Sequence, residues 1–135
     1  MTLAVTDHAI RELLHNTAFA KLYGFQLLAL GDGECSLAVP FQESFERPGG
    51  IVSGPVFMAA ADVAMWVAIK TKLGANDASV TVEMKTNFLS GAKRQDIHCN
   101  AKLLKVGRRL IYGTAECVTI DGLLLTHHTL TYIRA

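Results

Sequence analysis

The chain has 135 residues, half of them apolar, and 13 Lys plus Arg against 12 Asp plus Glu give it a formal net charge of +1. A chain of this length forms one domain and buries roughly two-thirds of its unfolded surface, which excludes intrinsic disorder. The near-neutral balance contains no run of like charge, so it leaves no general field to attract nucleic acid or an anionic membrane.

Thr6 is placed to cap a short helix through Asp7, with Ile10, Leu13 and Leu14 at helical spacing, and Gly24 stops a further turn that begins at Thr17. Residues 1–24 therefore read as an amphipathic helical arm. Phe25 to Leu30 and Cys35 to Val39 flank Asp32-Gly33, a dipeptide that favours a tight turn between antiparallel strands. Pro48-Gly49-Gly50 makes Gln42 to Val52 a loop. Ser53 is a natural N-cap and Pro55 a first-turn proline, so a helix is predicted over 53–73, ended by Gly74. Between Gly54 and Ile69 its only charged residue is Asp62, and a helix apolar on every side is one surrounded by protein.

Beyond Gly74 the apolar period falls to two, with Val80, Val82 and Met84 expected on one face and Thr81, Glu83 and Lys85 on the other. Ile97, Cys99, Ala101 and Leu103 repeat the alternation. Leu110 to Ile120 and Leu123 to Ile133 are two more strands, joined through Asp121-Gly122. The expectation is a single α+β domain spanning 1–135, in which antiparallel strands wrap over one long helix.

Cys35, Cys99 and Cys117 are widely spaced and form no C-x-x-C pair, so neither a disulfide framework nor a zinc site is expected and a cytoplasmic location fits. Met1 to His8 lacks the basic and apolar regions of a signal peptide. The apolar stretch from Ile51 to Ile69 is interrupted by Ser53, Pro55 and Asp62, so it is read as a soluble helix and not a membrane span. His127 and His128 are adjacent on a strand, point to opposite faces and cannot chelate one metal together. Gly31-Asp32-Gly33 is a hairpin turn without the spacing of a phosphate loop.

The string from Arg47-Pro48-Gly49-Gly50 to Ser53-Gly54-Pro55, with Asp62 nine residues after Ser53, resembles the hotdog-fold acyl-CoA thioesterases of the PaaI type. Members of that family carry a His-Gly-Gly turn at the helix start, and Ser53-Gly54-Pro55 occupies it here. Ser79 to Phe88 looks like the family's central strand, which ends near an Asn-Phe pair such as Asn87-Phe88. The resemblance implies a hotdog fold, an antiparallel β-sheet wrapped around a long central α-helix. It also implies a homodimer or tetramer that hydrolyses a thioester of coenzyme A or a carrier protein. It implies no metal and no bound cofactor, coenzyme A entering only as part of the substrate. Carried over residue by residue, Asp62 falls on the catalytic acid, Gly54 on the glycine whose N–H polarises the carbonyl, and Thr81 on a hydroxyl that assists the attacking water. Arg47 stands where some relatives carry Asn or Gln.

The residues themselves suit that chemistry. A thioester needs an activated water or a nucleophilic carboxylate, and it needs donors aimed at the developing oxyanion. The first turn of a helix has unpaired N–H groups, and Gly54 has no side chain to keep a carbonyl away from them. Asp62 is costly to bury unpaired, so it needs a partner or a function. Gly54 and Asp62 lie on the order of 12 Å apart along one helix, too far to serve one carbonyl. Two copies packed antiparallel across a two-fold axis would bring Gly54 of one beside Asp62 of the other. Ser53 is read as a cap, since Ile51 and Pro55 fill the glycine positions of a nucleophile elbow. Arg108 and Arg109 are either phosphate-binding groups for coenzyme A or a solvated turn. Among Phe57, Met58, Met65, Trp66 and Phe88, one or two are expected to touch an acyl group and the rest to be core. Two further readings compete: a non-catalytic acyl-CoA-binding hotdog module, motivated by Ser53 and Pro55, and a hydratase, which wants a His near the helix start where none lies.

Overall fold

The computed structural model describes residues 2–135, so Met1, the first residue of the predicted arm, lies outside it. Helix α1 (Asp7–Asn16) begins where Thr6 Oγ1 accepts the Ala9 N–H at 3.0 Å, satisfying a donor that every helix start leaves free. Helix α2 (Ala18–Tyr23) ends at Gly24, whose φ of 74° is left-handed backbone suited to glycine. Strands β1 (Gln26–Gly31) and β2 (Glu34–Val39) form the hairpin around Asp32-Gly33. In place of a plain loop, a short 3₁₀ turn (Glu43–Phe45) leads into a two-residue ladder of β3 (Glu46–Arg47) with β4 (Ile51–Val52).

Helix α3 (Gly54–Leu73) follows, and then β5 (Val80–Phe88), β6 (Ile97–Val106), β7 (Leu110–Thr119) and β8 (Leu124–Ile133). Six strands make one antiparallel sheet in the order β1-β2-β6-β7-β8-β5, and α3 lies across β2, β6 and β7. The approach is close at Gly113 on β7. A Cβ there would stand 2.5 Å from Met65 Cε and 2.6 Å from the Lys102 carbonyl oxygen, so the helix rests where the strand has no side chain. Among the described residues no helix is long and apolar enough to cross a membrane.

Three expectations are corrected. Helix α3 is not covered on every side. Val56, Phe57, Ala60, Ala61, Val63 and Ala64 are buried, but Pro55, Met58, Asp62 and Trp66 recur every three or four residues as an exposed or half-exposed stripe. A single sheet shields only one side of a cylinder. The strand alternation also shifts phase in β5. An irregularity between Thr81 and Glu83 leaves Val82 as an extra residue, so Thr81, opposite Tyr132, and Met84, opposite Leu130, face α3 together. Finally β5, expected as a central strand, is the edge of the sheet and among the described residues pairs only with β8. Along it Val80, Val82 and Phe88 are 58%, 52% and 57% exposed.

Candidate active site

Asp62 lies two turns into α3 on the uncovered stripe, with its side chain at the boundary between core and surface. Two hydroxyls from the sheet meet it. The bulge in β5 turns Thr81 inward, and its Oγ1 donates to Asp62 Oδ1 at 2.7 Å. The alternation of β8 turns Tyr132 inward, buried to 3% exposure, and its OH lies 2.6 Å from the same Oδ1 and 3.0 Å from the Asp62 carbonyl oxygen. Among the described residues Asp62 Oδ2 receives no hydrogen bond. Burial pushes the Tyr132 phenol above its ordinary range, and the Asp62 charge and hydrogen bond push it the same way, so it remains a donor.

Beside Asp62 opens a cavity of about 330 Å³, lined by Phe19 and Ala20 of α2, Val63 and Trp66 of α3, and Val80 and Tyr132 of the sheet. Among the described residues Asp62 is the only carboxylate in the wall. The wall is braced from behind by Lys70. It is almost wholly buried, donates to the carbonyls of Ala75 and Asp77 at 3.0 Å each, and lies 4.8 Å from the centre of the Trp66 ring. Asp77 in turn accepts from Ser79 Oγ at 2.9 Å, fixing the segment that leads into Thr81.

Gly54 opens on a different cavity, about 410 Å³, lined by Arg47, Ile51, Phe57, Phe88 and Leu89. Its N–H finds no acceptor among the described residues, as the first turn of a helix predicts. A Cβ on Gly54 would meet Phe88 Cε1 at 3.1 Å, so glycine here allows the Phe88 ring to lie over the helix start. Ser53 occupies the N-cap position with extended backbone, but its hydroxyl caps nothing. The Ser53 N–H instead donates to the Phe45 carbonyl at 2.7 Å, tying the helix start to the preceding 3₁₀ turn. The expected side-chain cap is therefore absent.

Of the remaining predicted residues, Arg47, Phe57 and Phe88 line the Gly54 cavity and Trp66 the Asp62 cavity, while Met65 is core. Met58 stands exposed on the helix stripe, and Asn87 pairs with His127 on β8. Arg108 and Arg109 form the exposed turn between β6 and β7 and line neither cavity. Arg134 joins them, its N–H donating to the Arg109 carbonyl at 2.7 Å and its guanidinium to the Gly107 carbonyl at 3.0 Å. None of the three arginines forms an ion pair among the described residues. They sit at the end of the sheet where Val80, a wall of the Asp62 cavity, pairs with Ile133.

His127 and His128 do face opposite ways. His128 is fully buried, with Nδ1 2.8 Å from Thr86 Oγ1 and Nε2 2.7 Å from Thr126 Oγ1, a satisfied core histidine. The three cysteines are buried and unpaired. Sequence reasoning passed over Tyr132. The signal was there, because a buried tyrosine needs a partner for its OH, and alternation along β8 places it on the helix side.

Comparison with known proteins fits this geometry. Residues 49–126, which run from the turn before α3 to β8, match the family described as the thioesterase superfamily, and the chain belongs to it. A "Putative esterase" of Saccharolobus solfataricus is 31% identical over 104 residues, 77% of this chain and 74% of that one. A conserved protein of Pseudomonas aeruginosa has a TM-score of 0.85 at 27% identity, covering 91% of this chain and 98% of that one. A Haemophilus influenzae thioesterase has a TM-score of 0.89 at 20% identity, covering 100% and 95%. The phenylacetic acid degradation protein PaaI of Thermus thermophilus, in a mutant form, has a TM-score of 0.79 at 22% identity, covering 88% and 100%. The fold is the hotdog fold, a sheet wrapped on one long helix.

Proposed function

We propose that the chain is a PaaI-type thioesterase that hydrolyses acyl- or aryl-coenzyme A as a homodimer, in a reducing cytoplasm. One observation carries this reading. The carboxylate at Asp62 and the free N–H at Gly54 open on separate cavities of one chain, and the helix stripe between them is uncovered. Two α3 helices packed antiparallel along that stripe would join the Asp62 cavity of one protomer to the Gly54 cavity of its partner, giving two composite sites. The unpaired apolar edge of β5 supports the same association, because such an edge is a template for another strand.

In the composite site the thioester carbonyl accepts from the partner's Gly54 N–H, and the acyl group enters the apolar cavity beside Asp62. Asp62 takes a proton from water as the hydroxide oxygen bonds to the carbonyl carbon. The tetrahedral intermediate collapses with cleavage of the C–S bond, and Asp62 returns the proton to the leaving sulfur. A carboxylic acid and a free thiol result. The Thr81 hydroxyl donates a hydrogen bond to Asp62 Oδ1 and keeps its lone pairs for the water. Arg108 and Arg109 bind phosphates of coenzyme A at the cavity's end of the sheet.

Free-thiol release from short, long and aromatic acyl-coenzyme A thioesters tests the reading. Turnover lost in Asp62→Asn, with folding and dimerisation intact, is expected, and an active monomer refutes the composite site. Single-turnover hydrolysis in labelled water should leave Asp62 unlabelled, whereas label in its carboxylate would make it the nucleophile. The second reading, a binding module without catalysis, is motivated by Ser53 and Pro55 in the turn. Acyl-coenzyme A bound tightly but never cleaved selects it.

A further inference from the structure

We infer that Tyr132 is a positioning residue that, with Thr81, ties down Asp62 Oδ1 and reserves Oδ2 as the oxygen that handles the proton of the attacking water. This deepens the thioesterase reading and rests on it. A carboxylate on a helix turns freely about its terminal bonds, and each orientation that points the wrong oxygen at the substrate is lost to catalysis. Here the rotation is stopped. Oδ1 sits between the Thr81 hydroxyl at 2.7 Å and the Tyr132 hydroxyl at 2.6 Å, while Oδ2 meets no donor among the described residues. The Tyr132 OH is also 3.0 Å from the Asp62 carbonyl oxygen, so the phenol grips the helix backbone and the side chain of the same residue.

The two hydroxyls come from paired positions. Thr81 and Tyr132 are directly opposite each other on β5 and β8, and they share a face only because the bulge at Val82 resets the alternation of β5. The tyrosine is rigid: its ring is buried, it has two side-chain torsions, and its backbone lies within the hydrogen-bonded sheet. It is also a dependable donor. Its phenol is held above the ordinary range by burial and by Asp62, with Asp77 adding in the same direction and Thr81 opposing, so it keeps its proton at neutral pH.

Tyr132→Phe removes the hydroxyl and keeps the ring. The expected result is a fall in kcat on the order of tenfold to a hundredfold with KM within about twofold, because an orientation needed in the transition state is lost while the cavity survives. Thr81→Val should act in the same way, and Thr81→Ser, which restores the donor, should recover most of the rate. A raised KM with kcat kept, or an unchanged rate, overturns the assignment. A second readout needs no turnover. Phenolate absorbance, assigned to Tyr132 by difference from Tyr132→Phe, should appear at lower pH in Asp62→Asn than in the native chain. An unmoved titration overturns the Tyr132–Asp62 contact itself. If the native protein cleaves no thioester and the titration moves, the contact stands, the thioesterase reading fails, and the positioning role falls with it.

Discussion

Gly113→Ala tests whether α3 is held on the sheet as closely as the geometry requires. The added methyl would stand 2.5 Å from Met65 Cε, 3.0 Å from Met65 Sδ and 2.6 Å from the Lys102 carbonyl oxygen. The end of a methionine can swing aside, although Met65 is 1% exposed and its neighbours are close-packed. The carbonyl belongs to the neighbouring strand and cannot move without disturbing the β6–β7 ladder. Overpacking of this kind costs typically 1–3 kcal/mol, and the immovable backbone oxygen places the expected loss near the top, about 3 kcal/mol. For a chain of this size that is a fall in Tm of roughly 12 °C. Thermal unfolding followed by circular dichroism at one fixed protein concentration measures it, since an oligomer's Tm depends on concentration. Gly91→Ala is the control, because a Cβ there meets nothing within 4 Å, and it should stay within about 0.5 kcal/mol of native. Met65→Ala added to Gly113→Ala should relieve only part of the loss. If Gly113→Ala unfolds like the native chain, α3 does not rest on β7 as described, and the placement of Asp62 three residues before Met65 fails with it.

Phe19 walls the Asp62 cavity, whose volume of about 330 Å³ is roughly twice that of an apolar cavity known to hold benzene. Phe19→Ala should therefore raise kcat/KM for longer or bulkier acyl groups relative to short ones, and an unchanged ratio across the panel would remove Phe19 from the acyl site. Arg108→Ala combined with Arg109→Ala should raise KM for a coenzyme A thioester about tenfold, the loss of one or two charge-assisted contacts, while a truncated thioester without the nucleotide reacts as before. Equal effects on both substrates would return the two arginines to a solvated turn. In alkali the sign follows from Tyr132, whose phenol lies above its ordinary value of 10.0 in the folded chain. The native fold holds this proton more tightly than the unfolded chain does, so its contribution is complete below pH 10 and is lost as pH rises beyond it. The stability difference between native and Tyr132→Phe protein should thus shrink above pH ~10, and a difference that grows there would contradict the cause assigned to the shift.

Local chemistry made much of the fold readable from the chain alone. Thr6, Gly24, Asp32-Gly33, Pro55, Gly74 and Asp121-Gly122 each punctuate an element near where it begins or ends, because caps, left-handed turns and first-turn prolines act within a few residues. Asp62 and Gly54 were legible for a related reason, since a lone charge and a glycine at a helix start are exceptions to their own surroundings. What escaped was set by distant pairing. The bulge at Val82 depends on the register between β5 and β8, and no spacing within β5 announces it. Tyr132 lies 70 residues from Asp62, so their contact exists only once the sheet is folded over the helix. The helix composition also suggested full burial, whereas one sheet covers one side and leaves the stripe through Met58 and Asp62 for another surface. Ser53 was misjudged for a local reason: its hydroxyl yields the cap position while its N–H is spent on Phe45.

The central claim is that each active site takes Asp62 from one protomer and the Gly54 N–H from its partner. Mixing two inactive variants tests it directly. Asp62→Asn removes the base, and Gly54→Val puts a branched side chain where the substrate carbonyl must approach, displacing the exposed Phe88 ring. Each variant alone should form inactive dimers. Refolded together in equal amounts, half of the dimers are mixed, and each mixed dimer holds one site with both groups intact, so thiol release should recover to about one quarter of the native rate. Recovery near that fraction is the predicted result. No recovery from a mixture shown to contain mixed dimers would contradict the composite site and place both groups, or neither, within a single chain.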